Sequence, residues 1–419
     1  MEEMAKRINI GLVGAGRIMP AHLHGYKEMM EKGIDNVRIT AICARKPGDA
    51  ERFRKRGEGP PPREPVGPPG DPLTAPHIYV YDFQTDMEVE THTDYRKMLR
   101  RGNIDAVAIY ASVFAHHPIA LASLEAGKHV LVEKPLAVTV KAGRKMVEAA
   151  EKAGLILGVA EVVRYGFRTR ETKWVIDQGY IGDVQMVIQG SIGGYWSPDK
   201  IVAETPWRHR KVEAGAGMTL DIGVHLFNGL RYLCGEVRDV RSIVKTFEEI
   251  RVTRDKAGKV IDQVRCEVDD TFFTLINFES GAVGQVLFSV AGHGEPTGIP
   301  GGRIIYGSRG CIKGDTVIQD DGTRAGVTEL FDKKASREVK EKYFPRGLTN
   351  PFALENYEFL RAIQEGREME TSGRDGLRDM AASYAMIESS LLNRPVRIEE
   401  VESGKLANYE KEINEYYHL

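Results

Sequence analysis

Residues 8–19 read Ile8-Asn9-Ile10-Gly11-Leu12-Val13-Gly14-Ala15-Gly16-Arg17-Ile18-Met19. An apolar run of strand character passes directly into two glycines one residue apart, and a helical pattern follows from about Met19 to Lys32. Strand, Gly-x-Gly turn and helix N-terminus in that order form a cradle for phosphate. Gly14 permits the tight turn and Gly16 lets the backbone approach a pyrophosphate. The N-terminus of the helix that follows offers amides and the positive end of its dipole. The third position of such a dinucleotide fingerprint, usually glycine or alanine, is Met19 here.

The same alternation continues outward. Val37–Cys43, Ala106–Tyr110, Val130–Val132 and Leu155–Ala160 read as strands. Helical patterns fall at 94–101, 118–126 and 140–153. Nearly all-apolar strands alternating with helices predict a doubly wound parallel sheet covered on both faces, an α/β Rossmann domain over residues 1–162. One stretch interrupts it: residues 57–76 hold eight of the 19 prolines and four glycines. Proline lacks the amide donor, so this is expected to be an extended insertion within the domain. Beyond residue 162 a helix at 168–178 precedes strand candidates at 184–191, 237–246, 271–278, 283–290 and 304–306. Ser280-Gly281 is a hairpin turn between two of them, and helices close the chain at 352–364 and 377–392. This predicts an α+β domain over 163–419, built on an open-faced, mostly antiparallel sheet.

Composition narrows the function. The chain has 419 residues, 42% hydrophobic, with 58 basic against 60 acidic side chains and a net charge of −2. That balance offers no basic footprint for nucleic acid. No apolar run approaches a membrane span, and the charged first residues hold no signal-peptide core. Cys43, Cys234, Cys266 and Cys311 are widely separated and fit neither a disulfide framework nor a zinc site, so a cytoplasmic enzyme with free thiols is expected. His22 and His24 lack a carboxylate or thiol cluster, so no metal site is expected.

Three further stretches carry chemistry. After the second strand comes Ala44-Arg45-Lys46, where an acidic residue for the ribose hydroxyls of NAD normally stands. A missing carboxylate with cations beside it suits a 2′-phosphate, which tilts the choice between NAD and NADP slightly toward NADP; Arg45 merely stacking on adenine, or being solvated, is the alternative. Ala126-Gly127-Lys128-His129-Val130-Leu131-Val132-Glu133-Lys134-Pro135 lies at the carboxyl end of a buried strand, where doubly wound sheets place their ligands, and points the Lys134 ammonium toward them. Gly215-Ala216-Gly217-Met218-Thr219-Leu220-Asp221-Ile222-Gly223-Val224-His225 opens a helical pattern with Asp221 and His225 four apart, on one expected helix face. A carboxylate beside an imidazole orients it and raises its proton affinity, as a general base requires.

Together these motifs resemble the glucose–fructose oxidoreductase/inositol dehydrogenase (Gfo/Idh/MocA) family over nearly the whole chain. The resemblance implies a catalytic set of Lys134, Asp221 and His225, and a cis bond at Lys134-Pro135. It implies cofactor contacts from Gly14, Gly16, Arg17, Ile18, Ala44, Arg45, Ser112, His116, Glu133 and Lys134. Arg164, Tyr165, Trp207 and Arg208 are expected near the substrate, and Tyr195-Trp196 could border it. The family's usual Ala-Thr-Pro-Asn is Tyr110-Ala111-Ser112-Val113 here, and the late Glu388-Ser389-Ser390 helix is expected to be structural.

The expected function is NAD(P)-dependent hydride transfer between nicotinamide and a secondary hydroxyl of a sugar, polyol or sugar derivative, in a cleft between the domains. The alternative is an NAD-dependent glycoside hydrolase working by transient oxidation and elimination with cofactor recycling. A nucleotide sensor without chemistry is disfavoured by Lys134, Asp221 and His225. Phe272, Phe273, Leu275 and Ile276 make both sheet faces partly apolar, so a homodimer or homotetramer through the open face is expected.

Overall fold

The computed structural model describes residues 7–65, 70–193, 205–255 and 257–419. Tyr195 and Trp196 lie outside the described residues. Two compact units result: one comprises 1–137, 143–165 and 341–375, the other 138–142, 166–340 and 376–419.

The first unit is built on six parallel strands: β1 (Ile8–Val13), β2 (Val37–Cys43), β3 (Glu90–His92), β4 (Ala106–Ile109), β5 (His129–Glu133) and β6 (Leu157–Ala160), in the order β3-β2-β1-β4-β5-β6. This is the Rossmann strand order, with its reversal between β1 and β4. Every residue of β4 and β6 is buried, as a sheet covered on both faces demands. The helices are α1 (Met19–Glu31), α2 (Pro47–Arg54), α3 (Tyr95–Leu99), α4 (His116–Glu125), α5 (Val140–Ala153) and α6 (Val162–Tyr165). The described part of 57–76 contains neither strand nor α-helix, only a 3-10 turn at Pro72–Thr74, in keeping with its prolines.

The expected division at 162 is departed from in two places: residues 138–142 group with the second unit, and residues 341–375 return to the first. The helix Pro351–Glu365 packs on α1 so closely that a Cβ on Gly25 would meet the Phe352 carbonyl carbon at 2.8 Å. Thr371 accepts the Val159 amide at 2.8 Å, and Ser372 bridges Gly158, so this return also covers the outer edge of β6.

The second unit begins with α7 (Phe167–Asp177) and carries a nine-stranded sheet. Its strands are β7 (Val184–Ile192), β8 (Val237–Lys245), β11 (Thr271–Phe278), β12 (Val283–Ser289), β13 (Thr297–Gly307), β14 (Gly310–Lys313), β15 (Thr316–Gln319), β16 (Arg324–Gly326) and β17 (Val396–Arg397). Their order is β16-β15-β14-β13-β7-β12-β11-β8-β17, antiparallel except for the β7–β12 pair. A separate hairpin joins β9 (Ile250–Arg254) and β10 (Val260–Arg265).

Register separates the two sheet faces. Phe272, Ile276 and Phe278 are fully or almost fully buried, whereas Phe273 and Leu275 between them are 41% and 58% exposed. Phe273 faces Ile243, and Val283 faces Met186, so the exposed apolar residues share one face. The free edge of β8 beyond β17 is covered by the helix Gly373–Leu392: Ser389 and Ser390 hydroxyls accept the Ser242 and Val244 amides, both at 3.0 Å. This is the structural part foreseen for the Glu388-Ser389-Ser390 stretch. No helix among the described residues is long and apolar enough to cross a membrane.

Candidate active site

The Gly-x-Gly turn sits where the β1–α1 connection crosses the end of β4. Gly14 has φ +104°, and a Cβ there would lie 2.5 Å from the Ala111 nitrogen, so only glycine fits. Gly16 is different. The nearest atom to a Cβ on it would be the Tyr110 oxygen at 3.8 Å, so nothing within the chain forbids a side chain. Its bare backbone leaves room for a ligand. α1 starts with no side-chain cap and no acidic residue in its first turn; Pro20 has no amide and the Ala21 and His22 amides turn to the Ile18 carbonyl, so what this helix start offers an anion is the positive end of its dipole. These features fit a dinucleotide pyrophosphate. Ala44, at the end of β2, is buried, and Arg45 beside it is exposed. Ser112 caps a 3-10 turn, Val113–Ala115, beyond β4 without a side-chain bond.

Glu133 and Lys134 leave the carboxyl end of β5, and the Lys134-Pro135 bond is cis. Glu133 Oε1 meets His22 Nε2 at 2.8 Å. The His22 ring stacks on Tyr110 at 3.7 Å between centroids and meets Phe352 edge-on at 4.9 Å. Burial opposes the Glu133 charge, but His22, Lys134 and His116 outweigh it and hold its pKa below the usual carboxylate range. Sequence reading set His22 aside as a metal ligand and missed this role, because its partner lies 111 residues away. No group of His, Cys, Asp and Glu among the described residues could hold a metal.

His116 is almost fully buried. Its Nδ1 lies 2.9 Å from the Pro135 carbonyl and its Nε2 3.0 Å from that of Ala111. Two carbonyls ask for two donors, while burial pulls its pKa down and favours the neutral ring with one. The ring ties the end of β4 to the turn after β5 and so sets the backbone beside Lys134. Beneath this lies Glu355, on the Pro351–Glu365 helix, fully buried with neither carboxyl oxygen hydrogen-bonded to a described residue. Burial, then Glu133 and Glu161, pushes its pKa well above the usual range, which favours the neutral acid.

Arg164 and Tyr165, expected near the substrate, both contact the 370–375 segment. Tyr165 is fully buried and its hydroxyl lies 3.1 Å from that of Thr371. Arg164 donates to the Glu370 carbonyl at 3.0 Å and lies 3.8 Å from Asp375. Both residues anchor the 370–375 return.

In the second unit the expected helix is broken. Asp221 ends a four-residue helix, Met218–Asp221, and His225 lies in the next, Gly223–Cys234, with Ile222 the shared cap. Both side chains stay half-exposed while Gly223 and Val224 between them are buried. Arg208, in the 3-10 turn Pro206–His209, reaches Asp221 Oδ2 with its Nε at 3.2 Å and stacks on Trp207 at 4.6 Å. The structure therefore brings Trp207, Arg208 and Asp221 together, a grouping that spacing did not reveal.

Asp269 holds this grouping from behind. Its buried carboxylate accepts the Gly217 and Thr219 amides at 2.9 and 2.7 Å and the Thr219 hydroxyl at 2.7 Å. Gly217 is obligatory, because a Cβ there would lie 1.8 Å from the Asp269 carbonyl oxygen. A four-residue helix has almost no stability of its own, so this clamp fixes Asp221.

Residues 8–161 match an oxidoreductase family with an NAD-binding Rossmann fold, and residues 169–313 match the GFO/IDH/MocA C-terminal domain. The chain belongs to the Gfo/Idh/MocA oxidoreductase family. Its relatives include a levoglucosan dehydrogenase from Pseudarthrobacter phenanthrenivorans, 26% identical over 406 residues, covering 92% of this chain and 96% of that one. A myo-inositol 2-dehydrogenase from Thermotoga maritima is 27% identical, covering 74% of this chain and 85% of that one. Among solved structures, a levoglucosan dehydrogenase in complex with NADH and levoglucosan superposes with a TM-score of 0.69 at 24% identity, covering 94% of this chain and 100% of that one. An NAD-binding oxidoreductase from Klebsiella pneumoniae gives a TM-score of 0.71 at 22% identity, covering 94% and 99%. The fold expected from the Gfo/Idh/MocA motifs is the fold found, and the chain is an NAD(P)-dependent oxidoreductase of that family.

Proposed function

We propose that this oxidoreductase interconverts a secondary hydroxyl and a ketone on a sugar, polyol or sugar derivative, with Lys134, Asp221 and His225 as its catalytic residues. The dinucleotide, when bound, supplies the hydride acceptor or donor. Lys134 holds the carbinol oxygen and stabilises negative charge developing on it. His225 takes the hydroxyl proton, and Asp221, paired with Arg208, fixes the orientation of the reacting group. The observation that carries this reading is the setting of Lys134. It leaves a parallel strand at its carboxyl end, directly after a carboxylate locked by His22 at 2.8 Å.

The relatives named for levoglucosan and myo-inositol support a substrate among the polyhydroxylated carbohydrates and polyols. Ala44 and the exposed Arg45 favour NADP over NAD, and the free cysteines favour a cytoplasmic setting. The exposed apolar face around Phe273 and Leu275 favours a homodimer or homotetramer. Absorbance of reduced nicotinamide, followed with NAD⁺ and NADP⁺ against a panel of sugars, polyols and glycosides, tests the reaction. Net reduction is expected. Release of an aglycone without net reduction would replace this reading with the redox-assisted hydrolase.

A further inference from the structure

The Pro-rich insertion is not a detached loop; its described first part is fastened to the Gly-x-Gly turn. Arg63 donates from Nη1 to the Ala15 carbonyl at 2.6 Å, and from Nη2 to Asp49 of α2 at 2.9 Å. Arg17 reaches the other way and donates to the Glu64 carbonyl. Two adjacent insertion residues are thus tied to two fingerprint residues. The chain reaches that position by lying flat on the start of α2. Gly59 has φ +65°, and a Cβ there would lie 2.6 Å from the Arg52 nitrogen. The Arg52 guanidinium donates to the Pro61 carbonyl at 3.0 Å and to Asp49 at 2.6 Å. Further along, His24 of α1 lies 3.0 Å from the Pro76 carbonyl.

The charges have a direction. Arg52 and Arg63 both meet one carboxylate oxygen, Asp49 Oδ1, which draws the two guanidinium groups together beside the turn. Arg45 and Lys46, just before α2, are exposed. In a doubly wound sheet the β2–α2 connection borders the adenosine ribose, and the β1–α1 turn borders the pyrophosphate. Residues 59–65 span from one to the other.

We propose that residues 59–65 form a strap that completes the dinucleotide site on its adenosine side, fastened by Arg63, and that its ligand is a phosphate of the adenosine half. This rests on the cofactor site assigned above and adds to it a retention element that the fingerprint alone does not supply. The strap restrains the bound dinucleotide and slows its release.

The test is fluorescence titration of the full-length protein with NADH and with NADPH, together with stopped-flow dissociation rates, for the wild type, Arg63→Ala and Arg63→Lys. Arg63→Ala is expected to weaken binding about tenfold through faster dissociation, as for loss of one charge-assisted contact. Arg63→Lys keeps the charge for Asp49 but cannot reach both partners with one planar group, so an intermediate loss is expected. Its circular dichroism and melting temperature serve as the check on folding. A larger loss for NADPH assigns the strap to the 2′-phosphate, and equal losses assign it to the pyrophosphate. Unchanged affinity in a folded Arg63→Ala variant would overturn the proposal by making the strap mere packing. Tighter binding would overturn it too, because the strap would then obstruct the site. A wild type that binds neither dinucleotide defeats the underlying cofactor reading and the strap with it.

Discussion

The two sheets of this molecule handle apolar surface in opposite ways. In the first, Ile10, Leu12, Ile109, Leu131 and Val132 are all fully buried, and side chains on both faces meet helices. In the second, one face is equally closed, while the other leaves Met186, Ile243, Phe273, Leu275 and Val283 between 41% and 61% exposed. The first sheet is covered on both faces, and the proposed catalytic Lys134 follows the end of one of its strands. The second has an apolar face without a cover among the described residues. A closed sheet is read by its stability, and an open one by what it binds.

Four measurements press on that contrast. The largest effect is expected at the strand ends and the broken helix. Lys134→Ala and His225→Ala should each lower turnover by at least ~100-fold while leaving the melting temperature near wild type. Turnover close to wild type in either variant removes that residue from the mechanism. Next, Leu131→Ala in the closed sheet should cost ~2–5 kcal/mol in denaturant unfolding, whereas Leu275→Ala should cost under ~0.5 kcal/mol in a dissociated chain. Comparable losses would mean that the two sheets are not built differently.

The open face can be broken directly. Light scattering is expected to give a multiple of the 46.7 kDa chain mass, and Leu275→Asp should shift it toward the monomer by placing a charge in an apolar interface. A wild-type monomer at micromolar concentration would falsify the oligomer proposal. The smallest effect concerns Glu355. Its folded pKa is raised, so the folded protein keeps a proton that the unfolded chain releases near pH ~4.3. Stability is therefore full below that pH and is lost as pH rises toward the folded pKa. Melting curves of the wild type and Glu355→Gln should coincide near pH ~4 and diverge toward pH ~8, with the variant the more stable. Parallel curves would show that Glu355 is not a buried neutral acid.

The sequence made the first sheet legible because its strands are unbroken apolar runs bounded by helical patterns. It did not show β3 or β10, whose residues are short or largely exposed and lack a buried face to impose a pattern. The Asp221–His225 spacing suggested one helix. The clamp of Asp269 on residues 217–219 holds the first turn apart from the longer helix behind it, and that clamp lies about fifty residues downstream. The pattern at Phe352–Gln364 marked a helix but not which unit it would join. Likewise the His22–Glu133 contact joins residues that no local pattern relates. Motif types were readable from the chain; the residues that hold them in place became visible only through tertiary contact.

The return of residues 341–375 to the first unit has a consequence for synthesis. β6 ends at Ala160, but the helix that packs on α1 and the Thr371–Ser372 segment that covers the β6 edge start at Pro351. At ~5–20 residues per second, a ribosome needs ~10–40 s to deliver the intervening stretch of about 190 residues. During that interval the nascent parallel sheet has an uncovered strand edge and an unoccupied helix face, the kind of surface that holdase chaperones engage.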